Sequence, residues 1–392
     1  MAMGNIPYGR QVIDKEDIAT VVRVLESDFL TCGPEVEKFE QAFAEKMGAK
    51  YAIAVSNGTA ALHLAMIVAG VTNGDRVLTS PNTFLASANA AIYVGATPDF
   101  ADIDPTTGNL TAASLEAAWQ PDVRAVVPVA YAGQAPDMAD IYQLAKSRGA
   151  VVIEDACHGT GGGFLHDGTA HKLGGHPFAD ISIFSFHPVK TMTTAEGGML
   201  TTDNEEMANR IRLLRNHGMV RESGQFQGSL PDYGPWTYEM QDLGYNYRMT
   251  DIQAALGQSQ LHKLHSFIRR RREIVAEYNQ AFQDLPFLQV PSVRNPADRD
   301  HISWHLYSPQ WDFPLLGKSR TEVMQELRQH GIGTQVLYIP VYLQPYYQQR
   351  FGYSPGKCPN AETLYSKTLS IPLHPSMDDT QVQHVIHSIR SL

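Results

Sequence analysis

Four short segments of the chain carry residue types that could serve one reaction. The first is Ser185-Phe186-His187-Pro188-Val189-Lys190, followed by Thr193-Thr194-Ala195-Glu196-Gly197-Gly198. A lysine just past an apolar run, ahead of a Gly-Gly turn, is placed to face a cleft. Most lysines are solvated surface groups, but Lys190 has small and apolar neighbours. Desolvation there favours the neutral amine, the nucleophile that a Schiff base needs. The second segment, Val151 to His158, ends an apolar run on Asp155. A carboxylate at the carboxyl end of a strand can hold a protonated pyridine nitrogen, a charge-assisted bond worth roughly 1.5–3 kcal/mol. It keeps the ring cationic, so that the ring can absorb electrons from a carbanion. Taken alone, Asp155 also fits a helix N-cap. The third, Ser56-Asn57-Gly58-Thr59, is a small-residue turn from a strand into a helix. Free backbone N–H groups, the helix dipole and the Thr59 hydroxyl suit a phosphate, although a plain cap has the same composition. In the fourth, Thr83-Phe84 follows a strand, and Phe84 opens a helix where it could stack on a flat ring or pack into the core.

In this order, the phosphate turn, stacking aromatic, ring-nitrogen carboxylate and lysine match a fold-type-I pyridoxal-phosphate enzyme. The elements that must position them alternate. Strands are expected over 51–55, 76–80, 125–129, 151–154, 181–186 and 198–202. Helices are expected over 60–69, 83–94 and 137–148. Asp14 with Asp17 resembles a capping pair for a helix carrying Ile18, Val21, Val22 and Leu25, and Pro34 can open the next one. Such alternation implies an α/β fold, a mostly parallel mixed sheet covered by helices. A helical pattern of about 30 residues from Thr250 bridges to a smaller α+β region with expected strands at 305–308 and 333–337. The expected division is a large cofactor-binding domain over 1–265, with an N-terminal arm, and a small C-terminal domain over 266–392. Arg269 to Arg272 read as a solvated helix face, or as a diphosphate contact.

Composition limits the rest. At 392 residues, the chain suits two or three domains at roughly 100–200 residues each, and it can bury a sizeable core. The net charge of -10 disfavours nucleic acid and anionic membrane as partners. Three scattered cysteines, Cys32, Cys157 and Cys358, make neither a disulfide framework nor a metal pair, which fits a cytoplasmic setting. No signal peptide or membrane span is legible.

The chain also resembles a known group over nearly its full length. It is similar to the DegT/DnrJ sugar-nucleotide aminotransferases through Thr31-Cys32-Gly33-Pro34, Ser56 to Thr59, Thr83-Phe84, Glu154-Asp155-Ala156, Ser185 to Lys190, Glu196-Gly197-Gly198 and Gly244 to Met249. The resemblance implies pyridoxal 5'-phosphate as cofactor, passing through pyridoxamine phosphate in turnover. It implies Lys190 as the Schiff-base lysine and proton shuttle, and Asp155 as partner of the pyridinium. It implies His158, where many relatives carry Gln, near the ring hydroxyl. Gly58, Thr59 and Ser185 would hold the phosphate, and Phe84 would stack on the ring. Asn246 would reach across a homodimer interface to the partner's cofactor phosphate, giving shared active sites.

Within the family, the lysine segment is most similar to the branch of pseudaminic acid biosynthesis. That branch aminates C4 of a UDP-linked 4-keto-6-deoxy-N-acetyl sugar of the altrosamine type, with glutamate as donor. Substrate contacts are then expected from Tyr8, from Leu30, Thr31, Cys32 and Gly33, from Asn57 and His187, and from a strand Gln335-Val336-Leu337-Tyr338. Leu337 departs from relatives that often carry His. His305, in an expected Trp304-His305-Leu306-Tyr307 strand, is a further candidate. Rival readings are an aminotransferase on a dTDP- or GDP-linked ketosugar, an amino-acid aminotransferase, and a non-catalytic cofactor-binding regulator. Lys190 argues against the last, and against a related dehydratase that usually has histidine there.

Overall fold

The computed structural model describes residues 5–228 and 234–392. In chain order the strands are β1 (Tyr51–Val55), β2 (Arg76–Thr79), β3 (Thr97–Phe100), β4 (Val123–Val127), β5 (Val151–Asp155), the hairpin β6 (Gly163–His166) and β7 (Thr169–Lys172), β8 (Ile181–Ser185) and β9 (Gly198–Thr202). Seven of them form one sheet in the order β1-β9-β8-β5-β4-β2-β3. The pairs from β3 through β8 are parallel, and β9 runs antiparallel to both β8 and β1. All the sheet strands except β9 therefore point the same way. The ends of β1, β5 and β8 and the start of β9 meet at one edge, where parallel α/β sheets bind ligands.

The sheet is covered on both faces, as its near-continuous apolar strands demand. Ala52, Ala54, Val126, Val152, Phe184 and Met199 pack to one side. Their neighbours Ile53, Val55, Val127, Ile153, Ile183 and Leu200 pack to the other. The helices are α1 (Lys15–Leu25), α2 (Pro34–Met47), α3 (Gly58–Val68), α4 (Leu85–Tyr93), α5 (Ala112–Ala118), α6 (Met138–Ser147), α7 (Glu205–Arg215) and α8 (Asp251–Phe282). The Asp14–Asp17 capping box on α1 and Pro34 at the first turn of α2 stand as expected. β3 has no counterpart among the expected strands. Pro98 disguises it, and an edge position is where a sheet tolerates proline.

α8 is capped by a Thr250–Gln253 box and runs unbroken through residue 265. Its arginine run is neither a uniformly solvated face nor a diphosphate site. The Arg271 side chain is buried and donates to the carbonyls of Leu373 (2.8 Å), His305 (3.2 Å) and Trp304 (3.4 Å). Burial pulls its guanidinium down to about 10. The distal half of α8 joins α9 (Phe313–Leu316), α10 (Arg320–Gln329), α11 (Pro345–Phe351), α12 (Pro359–Lys367) and α13 (Asp379–Arg390) in the C-terminal part. There Ile274 and Tyr278 share a core with Trp304, Trp311, Ile371 and Ile6, the last from the N-terminal segment.

The strands expected at 305–308 and 333–337 are not strands. Only isolated bridges form, Tyr307 with Ile371 and Gln335 with Ser370. The backbone groups go elsewhere: the Trp304 and His305 carbonyls accept from Arg271, and His305 N donates to Ala132 O at 2.9 Å. Leu337 O likewise accepts from the Tyr131 hydroxyl at 2.7 Å.

Candidate active site

A cavity of about 1250 Å3 opens at the carboxyl edge of the sheet. That exceeds the roughly 300–1000 Å3 of an ordinary ligand pocket, leaving room for a cofactor and a second ligand. Lys190, Asp155, His158 and Phe84 line it, as do Asn57, Gly58, Thr59 and Ser185. Tyr8, His187 and Gln335 to Tyr338 complete the expected residues on its wall.

The turn that leads into α3 is built from close backbone contact. Asn57 Oδ1 caps the helix by accepting from Ala60 N at 2.8 Å. The first two helix residues, Gly58 and Thr59, are left to face the cavity. A Cβ at Gly58 would lie 3.0 Å from Ser185 Cβ, and one at Gly198 would strike the Asn57 carbonyl at 2.5 Å. Gly198 therefore needs glycine, and Gly58 leaves only a tight fit against Ser185. They let β8 and β9 close beneath an N-terminus suited to an anion.

Asp155 is 5% exposed and firmly held. Its Oδ2 accepts from Ser87 Oγ at 2.7 Å and its Oδ1 from Cys157 N at 3.1 Å, so the carboxylate is not a helix cap. Thr83 Oγ1 lies 2.8 Å from Ser87 Oγ. Lys190 follows β8 in a turn closed by its backbone N–H on the His187 carbonyl at 2.8 Å. Burial pulls its ammonium below the usual lysine range, against the opposing pull of Cys157 and Asp155. Burial also raises the Cys157 thiol well above its ordinary value, so this neighbour stays a neutral thiol.

His158 sits in a turn after β5 rather than one helical turn along. Its Nε2 is 3.1 Å from the Tyr338 hydroxyl, and its buried Nδ1 has no protein partner. Burial and Lys190 hold it neutral, well below the usual histidine range. His305 is not on the cavity wall. It packs behind His158 with ring centroids 4.4 Å apart, and its backbone is not in a strand. The segment 335–338 reaches the wall as irregular backbone. Phe84, the N-cap of α4, is 59% exposed, with its ring available for stacking.

Besides His305, five expected residues are off this wall. Leu30, Thr31, Cys32 and Gly33 run along the start of α8: Thr31 bridges Thr250, and Gly33 N donates to Asp251 Oδ2 at 2.8 Å. Asn246 is exposed and bridges Asn216. Its neighbours Tyr245 and Tyr247 instead face the cavity, stacked at 4.9 Å, with the Tyr247 hydroxyl 3.1 Å from His63 Nδ1. His63, Tyr247, Glu196 and Ser87 are further wall residues with no role expected from the sequence. Ser87 was legible in principle, being three residues past Phe84 on the same helix face. His63 had no such signal.

The residues present fit a phosphorylated pyridine cofactor. Glycine shapes the anion cradle, an unpartnered ring nitrogen of His158 is buried beside the wall, and an anionic carboxylate and a lysine complete the donor set. Among the described residues, no group of three or more His, Cys, Asp or Glu is placed to hold a metal. No described helix is long and apolar enough to cross a membrane.

Comparison with known proteins adds four likenesses. The DegT/DnrJ/EryC1/StrS aminotransferase family matches residues 11–390. The spore coat polysaccharide biosynthesis protein SpsC of Bacillus subtilis (strain 168) is 44% identical over 388 residues, 99% of this chain and 97% of that protein. Helicobacter pylori PseC, an aminotransferase involved in the biosynthesis of pseudoaminic acid, is 31% identical with a TM-score of 0.88, covering 99% of this chain and 98% of that one. Spr1654 from Streptococcus pneumoniae, solved in PLP and PMP forms, is 28% identical; its PLP form has a TM-score of 0.87 and covers 99% of this chain and 100% of that one.

Proposed function

The chain belongs to the DegT/DnrJ/EryC1/StrS aminotransferase family, and from that premise we propose that it moves an amino group from glutamate to C4 of a nucleotide-linked 4-keto-6-deoxy sugar. The favoured substrate is a UDP-linked N-acetylated sugar of the pseudaminic acid type. Enzymes of the family are sugar aminotransferases that use pyridoxal phosphate. When bound, that cofactor supplies a ring that takes up the electron pair left on carbon as a C–H bond beside nitrogen breaks.

The chain's residues divide the remaining work. Lys190, whose ammonium burial pulls below the usual lysine range, would anchor the cofactor through Nζ and then remove and return the proton at carbon. Asp155, already accepting from Ser87 and Cys157, would accept from the ring nitrogen. The Gly58–Thr59 helix start and Ser185 hold the phosphate, and Phe84 covers one face of the ring. His158, held neutral, contacts the ring hydroxyl without adding charge. Asn246 and the Leu30–Gly33 turn, off their own chain's wall, serve the cavity of a second copy, and the working unit is a homodimer.

The observation that carries this reading is Lys190, half-buried on one cavity wall with an anchored Asp155. The cavity size and the likeness to PseC support the substrate class. The test has two parts. A yellow holoprotein should bleach on adding glutamate. UDP-, dTDP- and GDP-linked 4-ketosugars should then be screened with glutamate, with the product read by mass spectrometry. Amination of the UDP N-acetyl sugar alone supports the proposal. Preference for a dTDP or GDP sugar replaces the substrate, and a spectrum indifferent to glutamate overturns the donor.

A further inference from the structure

We infer that Ser87 is a positioning residue for the cofactor: through a relay from Thr83 it fixes the orientation and the charge of Asp155. The inference rests on the reading of Asp155 as partner of the ring nitrogen. Ser87 has one hydroxyl proton. Asp155 Oδ2, an anion with no proton to give, takes it at 2.7 Å. The 2.8 Å contact with Thr83 can then run only one way, Thr83 donating to Ser87. Both hydroxyls are buried, at 1% and 3% exposure, and the bond to a charged acceptor is of the strong class.

The placement gives the relay its meaning. Phe84 is the N-cap of α4, and Ser87 lies in the first turn of the same helix. One short element thus carries both the aromatic face offered to the ring and the anchor of the carboxylate offered to its nitrogen. The other donor to Asp155 is the Cys157 backbone, which comes from its own strand end and fixes Oδ1. Without Ser87, Oδ2 loses its hydroxyl donor and the carboxylate is held only from Cys157, on its own strand end. The titratable groups around Asp155 are Lys190, Cys157, His158 and Tyr338, and α4 presents only the neutral hydroxyls of Ser87 and Thr83. The relay is therefore the one contribution from α4 to the carboxylate's basicity.

A carboxylate deprived of a donor is more basic. It competes for the proton on the ring nitrogen, leaving the ring less cationic. A less cationic ring withdraws less from the bond to Lys190, so the proton at Lys190 Nζ that gives the visible band should be held to higher pH. The experiment uses the full-length protein, with apoprotein for cofactor titration and holoprotein for spectra. Ser87→Ala should bind pyridoxal phosphate about tenfold more weakly, the scale of one lost charge-assisted bond. The pH midpoint of its visible band should rise by about half to one unit. Ser87→Thr, which keeps the hydroxyl, should restore both. Asp155→Asn is the reference and should shift the band on its own. A shifted Asp155→Asn beside a wild-type midpoint and affinity in Ser87→Ala overturns the Ser87 role and leaves the Asp155 reading standing. An unshifted Asp155→Asn overturns that reading, and the relay with it. If Ser87→Ala does not fold by circular dichroism, Ser87→Cys replaces it. The weaker thiol donor should give an intermediate midpoint, and a wild-type midpoint there overturns the proposal.

Discussion

The floor of the cavity and the outward face bearing Leu30–Gly33 and Asn246 were expected to form one site, yet they are built in opposite ways. On the floor, Asp155, Ser87, Thr83 and His158 are buried, and each is tied to another by a short contact. On the outward face, Leu30 is 47% exposed, Cys32 is exposed with a left-handed φ of 58°, and Asn246 is exposed between two tyrosines that turn inward. Within one chain the floor residues line the cavity, and Leu30–Gly33 and Asn246 do not. Phe29 and Leu30, with Ile18, Val22 and Leu25 of α1, are exposed apolar side chains near this face. Such surface on a monomer marks an interaction site. The difference teaches that the residues proposed to fix the cofactor are held within one chain, whereas the rim residues belong to this site only under the proposed homodimer.

The largest effect should come from the floor. Lys190→Ala should lower turnover by at least about 10^4-fold, because nucleophile and proton carrier are lost together. Borohydride reduction of the wild-type holoprotein, followed by peptide mapping, should label Lys190. A label on Lys172 or any other lysine breaks the assignment of the floor. Asp155→Asn comes next, with turnover down by about 10^2- to 10^3-fold while much of the cofactor affinity remains. A rate near wild type would reduce Asp155 to a structural group.

The rim is tested by complementation. Asn246→Asp sets a carboxylate against a phosphate and should cost about tenfold or more in cofactor affinity. Mixed with Lys190→Ala and refolded together, each heterodimer should hold one doubly lesioned site and one intact site. It should recover about half the wild-type rate, as a shared two-fold interface requires. No recovery, with subunit exchange confirmed, would mean that Asn246 does not act across subunits, and the contrast between floor and rim would lose its explanation. The smallest effect is expected where floor and C-terminal part meet. Tyr131→Phe removes the hydroxyl that holds Leu337 O and should raise KM for the sugar by about two- to tenfold with kcat nearly unchanged, the scale of one neutral hydrogen bond. An equal fall in kcat would place Tyr131 in the floor instead.

Much of this site was legible in the chain because its logic is local. The Asn57–Gly58–Thr59 turn, Asp155 at the end of an apolar run and Lys190 ahead of Gly197-Gly198 each declare a strand end. Strands that run the same way bring such ends to a common edge. Expectations failed where the deciding contact is remote. The segments 305–308 and 333–337 read as strands until Arg271, Ala132 and Tyr131 claim their backbone groups. Arg271 itself reads as solvated until the C-terminal carbonyls surround it.

Glu154 and Asp155 mark the boundary most sharply. By itself, the sequence determined that two adjacent carboxylates close an apolar strand, and alternation sends them to opposite faces. Which face meets the cavity was decided only by the fold. Glu154 is fully buried against His176, with Oε1 2.9 Å from Nε2, and its Oε2 accepts from Gly174 N at 2.9 Å. Burial alone would raise its acid range, but the contacts with His176, Ser182 and Gly174 hold it below the usual value, in a structural role. Asp155 points the other way, to Ser87 and the cavity. The period of a strand is fixed by covalent geometry and can be read from a single chain. The partners that make one carboxylate structural and the other chemical come from residues 20 or more positions away, and only tertiary packing brings them into contact.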